Sequence, residues 1–195
     1  MADKKRNNPK SDANERRSRK DRRETTSLIL MAVGGVVLAI VLTIAAMTVG
    51  GSAQPARIGQ PIGNLTLASL GGGDVNLGDY RGKLVLINAW ATWCPPCKAE
   101  MPALQAYYNQ HKADGFELLA VNAGETETLV QQYITEQGFT FPILLDPNSS
   151  NLNALGINNF PTSILVGRDG VVKTIHVGLF TPEELEAEIT PFLND

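Results

Sequence analysis

Hydrophobic positions form one long unbroken run near the start of the chain and a series of short runs after it. From Leu28 to Val49 no residue carries a charge, and Leu, Ile, Val, Ala and Met dominate. A helix of that length rises about 33 Å, enough to cross a hydrocarbon core of about 30 Å. The run therefore predicts a transmembrane helix over 28–49. A cleaved signal peptide is the rival reading, with small residues Gly51, Ser52 and Ala53 where cleavage would fall. The run is longer than the roughly 7–15 apolar residues usual in such a peptide, and we take it as an uncleaved anchor.

Beyond a Gly-, Pro- and Ser-rich linker over 50–63, the pattern changes to alternating strand and helix signals. Asn64–Ala68 and Asp74–Leu77 flank Gly71-Gly72-Gly73 and predict a hairpin. Lys83–Ala89 and Phe116–Val121 are apolar runs of the kind buried on both faces of a sheet. Between them, Met101, Leu104, Tyr107 and Tyr108 have near-helical spacing within a helix over Pro95–Lys112. A second helix over Glu127–Gln137 stops at Gly138, and Pro142–Leu145 is a short strand. Thr162–Val166 and Val171–His176 enclose Asp169-Gly170, a hairpin turn signal. Thr181 caps a final helix with Pro182 first and Glu183 and Glu184 in its opening turn. The order predicts one α/β domain over 64–195, with a mixed central sheet, helices on both faces and an extra N-terminal β-hairpin.

Charge sharpens this division. Of 17 Lys/Arg and 20 Asp/Glu, residues 1–27 hold 10 and 5, so a basic, apolar-poor tail precedes an acidic remainder. The tail predicts disorder. Basic residues stay on the cytoplasmic side, which places the N-terminus inside and residues 50–195 in the extracytoplasmic space. The tail lacks interleaved aromatics, so its expected partner is the lipid bilayer and its anionic headgroups, with no nucleic acid.

Only two cysteines occur, too few for a disulfide scaffold or a thiolate-rich zinc site. They form Cys94-Pro95-Pro96-Cys97, where a buried strand passes into a helix. A helix N-terminus carries partial positive charge and unpaired N–H groups, which stabilise a thiolate. Cys97 lies one turn on, close enough to close a disulfide. Cys94 is then the exposed nucleophile and Cys97 the resolving thiol, acting through a mixed disulfide. Neither proline has an N–H, so the local donor to the Cys94 sulfur is the Cys97 amide. A purely structural bridge would close a loop of four residues, worth only about 2 kcal/mol. Half of a zinc site would need two more ligands, and His111 and His176 are not paired in spacing.

The stretch Asn88-Ala89-Trp90-Ala91-Thr92-Trp93-Cys94-Pro95-Pro96-Cys97-Lys98, continuing to Glu100-Met101-Pro102, resembles the active-site segment of the thioredoxin superfamily. More narrowly it resembles the membrane-anchored TlpA/ResA-like (CcmG-like) thiol–disulfide oxidoreductases, with Phe160-Pro161-Thr162 as a second matching segment. The resemblance implies a thioredoxin-like fold, a cis peptide bond before Pro161, and partner binding by Trp93, Pro95, Pro96, Phe160, Pro161 and Thr162. Classical thioredoxins have a buried Asp where this chain has Asn88, which cannot take up a proton. The resemblance implies instead that Glu125, after the next strand, lies near the cysteines and shuttles a proton to Cys97. It further implies protein thiols and disulfides as substrates, among them apocytochrome c, and a membrane protein as electron donor. No cofactor is implied beyond the redox-active disulfide itself, and no metal. Two other functions share the fold. A peroxiredoxin would have Thr or Ser in place of Ala91, and a Sco-like copper-delivery protein would need wider cysteine spacing and a well-placed histidine.

Overall fold

The computed structural model describes residues 54–194, and Gly35 of the segment before them. The basic tail and the apolar run lie outside the described residues; among the described residues no helix is long and apolar enough to cross a membrane.

The hairpin forms from β1 (Thr66–Ser69) and β2 (Asp74–Asn76), with Gly72 and Gly73 at φ 91° and 77° in the turn. Such values favour glycine because it has no Cβ. Then come β3 (Leu84–Trp90), helix α1 (Pro95–His111), β4 (Phe116–Ala123) and α2 (Glu127–Gln137). After them follow β5 (Ile143–Asp146), α3 (Ser150–Ala154), β6 (Thr162–Val166), β7 (Val172–Val177) and α4 (Pro182–Glu188). Thr181 caps α4 as expected, and Glu184 completes a capping box, the two side chains each accepting the other's backbone N–H.

These strands make one sheet in the order β2-β1-β5-β4-β3-β6-β7. β3 runs parallel to β4, and β4 to β5, each pair joined through a helix; the remaining pairings are antiparallel. The N-terminal hairpin adds to the edge at β5. Alternation along the fully buried central strands divides the core in two. Leu84, Leu86 and Trp90 of β3 pack with Met101 and Leu104 of α1, Val130 and Ile134 of α2, and Leu185 of α4. Val85, Ile87 and Ala89 pack with Leu152 of α3, Ile62 and Leu65. Helices therefore cover both faces, unequally: three on one, and on the other a single turn-and-a-half plus the segment before the hairpin.

Two features were not anticipated. Helix α3 has five residues, too few to show a period; the carboxylate of Asp146 holds it, accepting from the Leu152 amide at 2.9 Å and Asn151 Nδ2 at 3.1 Å. The described part of the expected linker, 54–63, lies against the domain. Gly59 N–H donates to Val172 O, Val172 N–H to Gln60 O, and Ile62 N–H to Gly170 O.

Candidate active site

β3 ends at Trp90 and α1 begins at Pro95, so the four residues between them turn the chain at the edge of the core. Cys94 is the N-cap of α1 and Pro95 and Pro96 open it, a position where a missing N–H costs nothing. The Cys94 and Cys97 sulfurs are joined at 2.04 Å, and the Cys97 N–H reaches Cys94 Sγ at 3.3 Å. The donor expected from the two prolines is thus the one observed. Cys94 is less open than expected: it is 3% exposed and Cys97 is fully buried, while Trp93, Pro95 and Pro96 around them are exposed.

The Phe160–Pro161 peptide bond is cis, as the resemblance implied. The Phe160 ring meets Trp93 edge-on with centroids 5.9 Å apart, which joins the turn before β6 to the turn before Cys94. Pro161 O accepts from Gly178 N–H at 3.0 Å, and Thr162 Oγ1 donates to Asn159 O at 2.8 Å. Trp93, Pro95, Pro96 and Phe160 leave surface for a partner; Pro161 and Thr162 are buried behind it.

Glu125 follows β4 and is 8% exposed. Its Oε2 accepts from the Thr92 N–H at 2.7 Å and from Asn122 Nδ2 at 2.7 Å, and Oε1 accepts from the Thr92 hydroxyl. The carboxylate therefore pins the turn that leads into Cys94. Among the described residues no hydrogen bond joins it to either sulfur.

A second carboxyl belongs to the matching segment, though no role is expected of it from the sequence. Glu100 lies one turn beyond Cys97 on the buried face of α1 and is 1% exposed. Its Oε1 accepts from Asn88 Nδ2 at 2.8 Å and its Oε2 from the Phe180 N–H at 2.8 Å; Asn88 Nδ2 also reaches Ser163 Oγ at 3.0 Å. Burial pushes the Glu100 carboxyl from an ordinary 4.5 up to about 7, against the opposing pull of the Phe180 and Asn88 bonds and of nearby His176. Desolvation wins because the two hydrogen bonds return less than removal from water takes away. Asn88 Oδ1 is buried without a partner. With the amide turned over, that oxygen accepts the O–H of a protonated Glu100, so the pair suits either protonation state. The amide at 88 thus takes up no proton itself, and its carboxyl partner does. The signal was in the sequence: Cys97, Glu100, Met101, Leu104 and His111 lie on one helical stripe, and Glu100 is the acid among them.

The features of the rival functions are otherwise engaged. The position three before Cys94 is Ala91, without a hydroxyl. His111 Nδ1 lies 3.4 Å from Asp114 Oδ2 and His176 Nδ1 lies 3.1 Å from Glu188 Oε1. Among the described residues no group of three or more His, Cys, Asp or Glu is arranged to hold a metal.

The Redoxin family matches residues 50–189 of the chain. Thiol-disulfide oxidoreductase ResA of Geobacillus kaustophilus (strain HTA426) is 39% identical over 132 residues, 68% of this chain and 76% of that protein. ResA of Geobacillus thermodenitrificans (strain NG80-2) is 36% identical over 162 residues, 83% and 88% of the two chains. Among solved structures, StoA from Bacillus subtilis superposes with a TM-score of 0.58 at 29% identity, over 69% of this chain and 97% of its own. A thiol:disulfide interchange protein from Bacteroides sp. superposes with a TM-score of 0.63 at 27% identity, over 72% and 92%. With a cysteine pair at the start of a helix on a thioredoxin-like sheet, and a cis proline following the Phe160 that meets Trp93, this chain belongs to the redoxin family, as a ResA-like thiol–disulfide oxidoreductase.

Proposed function

We propose that the chain is a membrane-anchored reductant of protein disulfides, working outside the cytoplasm with Cys94 as nucleophile, Cys97 as resolving thiol and Glu100 as proton acceptor. The observation that carries this reading is the Cys94–Cys97 disulfide at the start of α1, with the cis Phe160–Pro161 bond and with Glu100 buried one helical turn beyond Cys97. In the reduced enzyme the Cys94 thiolate attacks a partner disulfide, forming a mixed disulfide and releasing one partner thiolate. Cys97 then passes its proton to Glu100 and attacks Cys94 Sγ. The bond to the partner breaks, the second partner thiolate leaves, and the Cys94–Cys97 disulfide closes. Two electrons pass from the dithiol to the partner, and a membrane electron donor returns them. A carboxyl poised near neutrality suits this step, since it is partly ionised at working pH and can accept the proton.

Glu125 keeps its place as a contributor, through the Thr92 turn it holds. The substrate class, thiols and disulfides, follows the names of the ResA relatives; the particular substrate in this reading is the haem-attachment Cys-x-x-Cys-His segment of apocytochrome c, which only the family resemblance implies. The apolar run over 28–49 and the basic tail support the anchored, N-terminus-in arrangement. The test is a reduction potential for Cys94–Cys97 together with reaction of the reduced full chain with a disulfide-bonded Cys-x-x-Cys-His peptide. A potential of about −250 mV or below with stoichiometric reduction of the peptide is expected. A potential near about −120 mV would make the protein an oxidant and overturn the assignment.

A further inference from the structure

Three polar side chains cross the face of the sheet that carries α1 and α4. Asn88 of β3 is registered with Ser163 of β6, and Ser163 with His176 of β7. Residues opposite each other on neighbouring strands share a face, so this lane starts at the Asn88–Glu100 bond and ends at His176. Both ring nitrogens of His176 meet acceptors. Nδ1 is 3.1 Å from Glu188 Oε1 and Nε2 is 3.3 Å from Leu179 O. A neutral imidazole has one N–H and can satisfy only one of these; the imidazolium satisfies both. The ring also stacks on Phe180, with centroids 3.8 Å apart and planes 19° from parallel. Phe180 supplies the N–H held by Glu100, and Gly178, two residues earlier, is tied to Pro161 O. The turn between β7 and α4 therefore connects the cis-proline segment, His176 and Glu100.

We propose that His176 is a positioning residue for Glu100: its ring, held between Glu188, Leu179 O and the Phe180 face, clamps the Leu179–Phe180 turn and so keeps the Phe180 N–H on the Glu100 carboxylate. The titratable groups that face His176 are Glu188 and Glu184 from α4 and Glu100 from α1; its neighbour on β6 is the non-titrating Ser163. Without these contacts the turn loosens, the carboxylate loses part of its support, and Glu100 holds its own proton more tightly. A side chain across the sheet thereby sets how readily the acid one turn beyond Cys97 accepts a proton. The consequence for catalysis rests on the reading of Glu100 as proton acceptor; the clamp itself does not.

The test uses the full chain with carbon-13-labelled Glu carboxyls, the Glu100 signal being assigned by its loss in Glu100→Gln. His176→Phe keeps a ring to stack on Phe180 and removes both hydrogen bonds. Glu188→Gln keeps an acceptor for Nδ1 and removes its charge. In His176→Phe the Glu100 titration midpoint should rise by about half a pH unit or more, and in Glu188→Gln by a smaller step in the same direction. Exchange of the Phe180 amide proton with solvent should be about tenfold faster in His176→Phe, because the turn opens more often. An unmoved midpoint in a folded His176→Phe overturns the proposal, as does a moved midpoint with unchanged Phe180 exchange, which would be a field effect without a clamp. If His176→Phe fails to fold, an unmoved midpoint in Glu188→Gln overturns it. If the midpoint and the amide both respond while the pH profile of disulfide exchange does not, the clamp stands and the role of Glu100 in exchange fails.

Discussion

Replacing Glu100 by Gln removes a titrating group while almost filling the space it leaves. In the wild type the folded chain holds the Glu100 proton up to about pH 7, whereas an unfolded chain releases it near 4.5. Below about pH 4.5 both states are protonated and the group contributes no difference. Between about 4.5 and 7 the unfolded state ionises first, so wild-type stability falls as pH rises, and above about 7 the loss is complete. At about 1.4 kcal/mol per pH unit of displacement the total is about 3 kcal/mol. The amide has no such loss. It also has a workable set of bonds: its oxygen can accept the Phe180 N–H, and its NH₂ can donate to Asn88 Oδ1, which is otherwise unpartnered. The stability of Glu100→Gln relative to wild type should therefore rise by about 3 kcal/mol from pH 4 to pH 8, from whatever offset it has at pH 4. Urea unfolding of both oxidised proteins across that range, followed by fluorescence of Trp90 and Trp93, measures the difference directly. Two stability curves that run parallel from pH 4 to pH 8 would refute the buried-acid argument, and with it the proton-acceptor role built on it.

Cys97→Ala should accumulate the mixed disulfide between Cys94 and a protein partner, seen as a mass adduct that dithiothreitol removes; Cys94→Ala should give no adduct. Glu125→Ala strips acceptors from the Thr92 N–H and Asn122 Nδ2, and unfolding should become easier by about 2 kcal/mol. In Glu125→Gln the pH midpoint of exchange should stay where the wild type has it; a displaced midpoint would make Glu125 the proton carrier in place of Glu100. Trp93 is 63% exposed beside the cysteines, and Trp93→Ala should raise KM for a protein disulfide about tenfold while leaving the rate with a small aromatic disulfide unchanged.

Much of this protein was legible along the chain because short-range rules decide it. The sequence predicts α2 with both ends as found, since a 3.6-residue period ended by a left-handed glycine, Gly138 at φ 72°, is a local matter. The central strands stood out as apolar runs, although β4 extends two residues past the expected Val121 because Asn122 and Ala123 continue the ladder with β5. Cys94 and Cys97 were recognisable from spacing at a strand-to-helix junction. What the chain could not display was distance between remote segments. Helix α3 exists because one carboxylate at the end of β5 gathers the backbone after it. Glu125 holds a turn 33 residues before it, and Glu100 takes an amide from Phe180, 80 residues after it. A carboxyl in sequence is only an acid of ordinary strength; whether it is buried, by what and against which donors is settled when α1, β3, β6 and the turn before α4 meet. The cysteine pair and its helix were thus determined locally by residue order, while the protonation chemistry beside them was decided by packing, because desolvation depends on everything that surrounds a group and not on its neighbours in sequence.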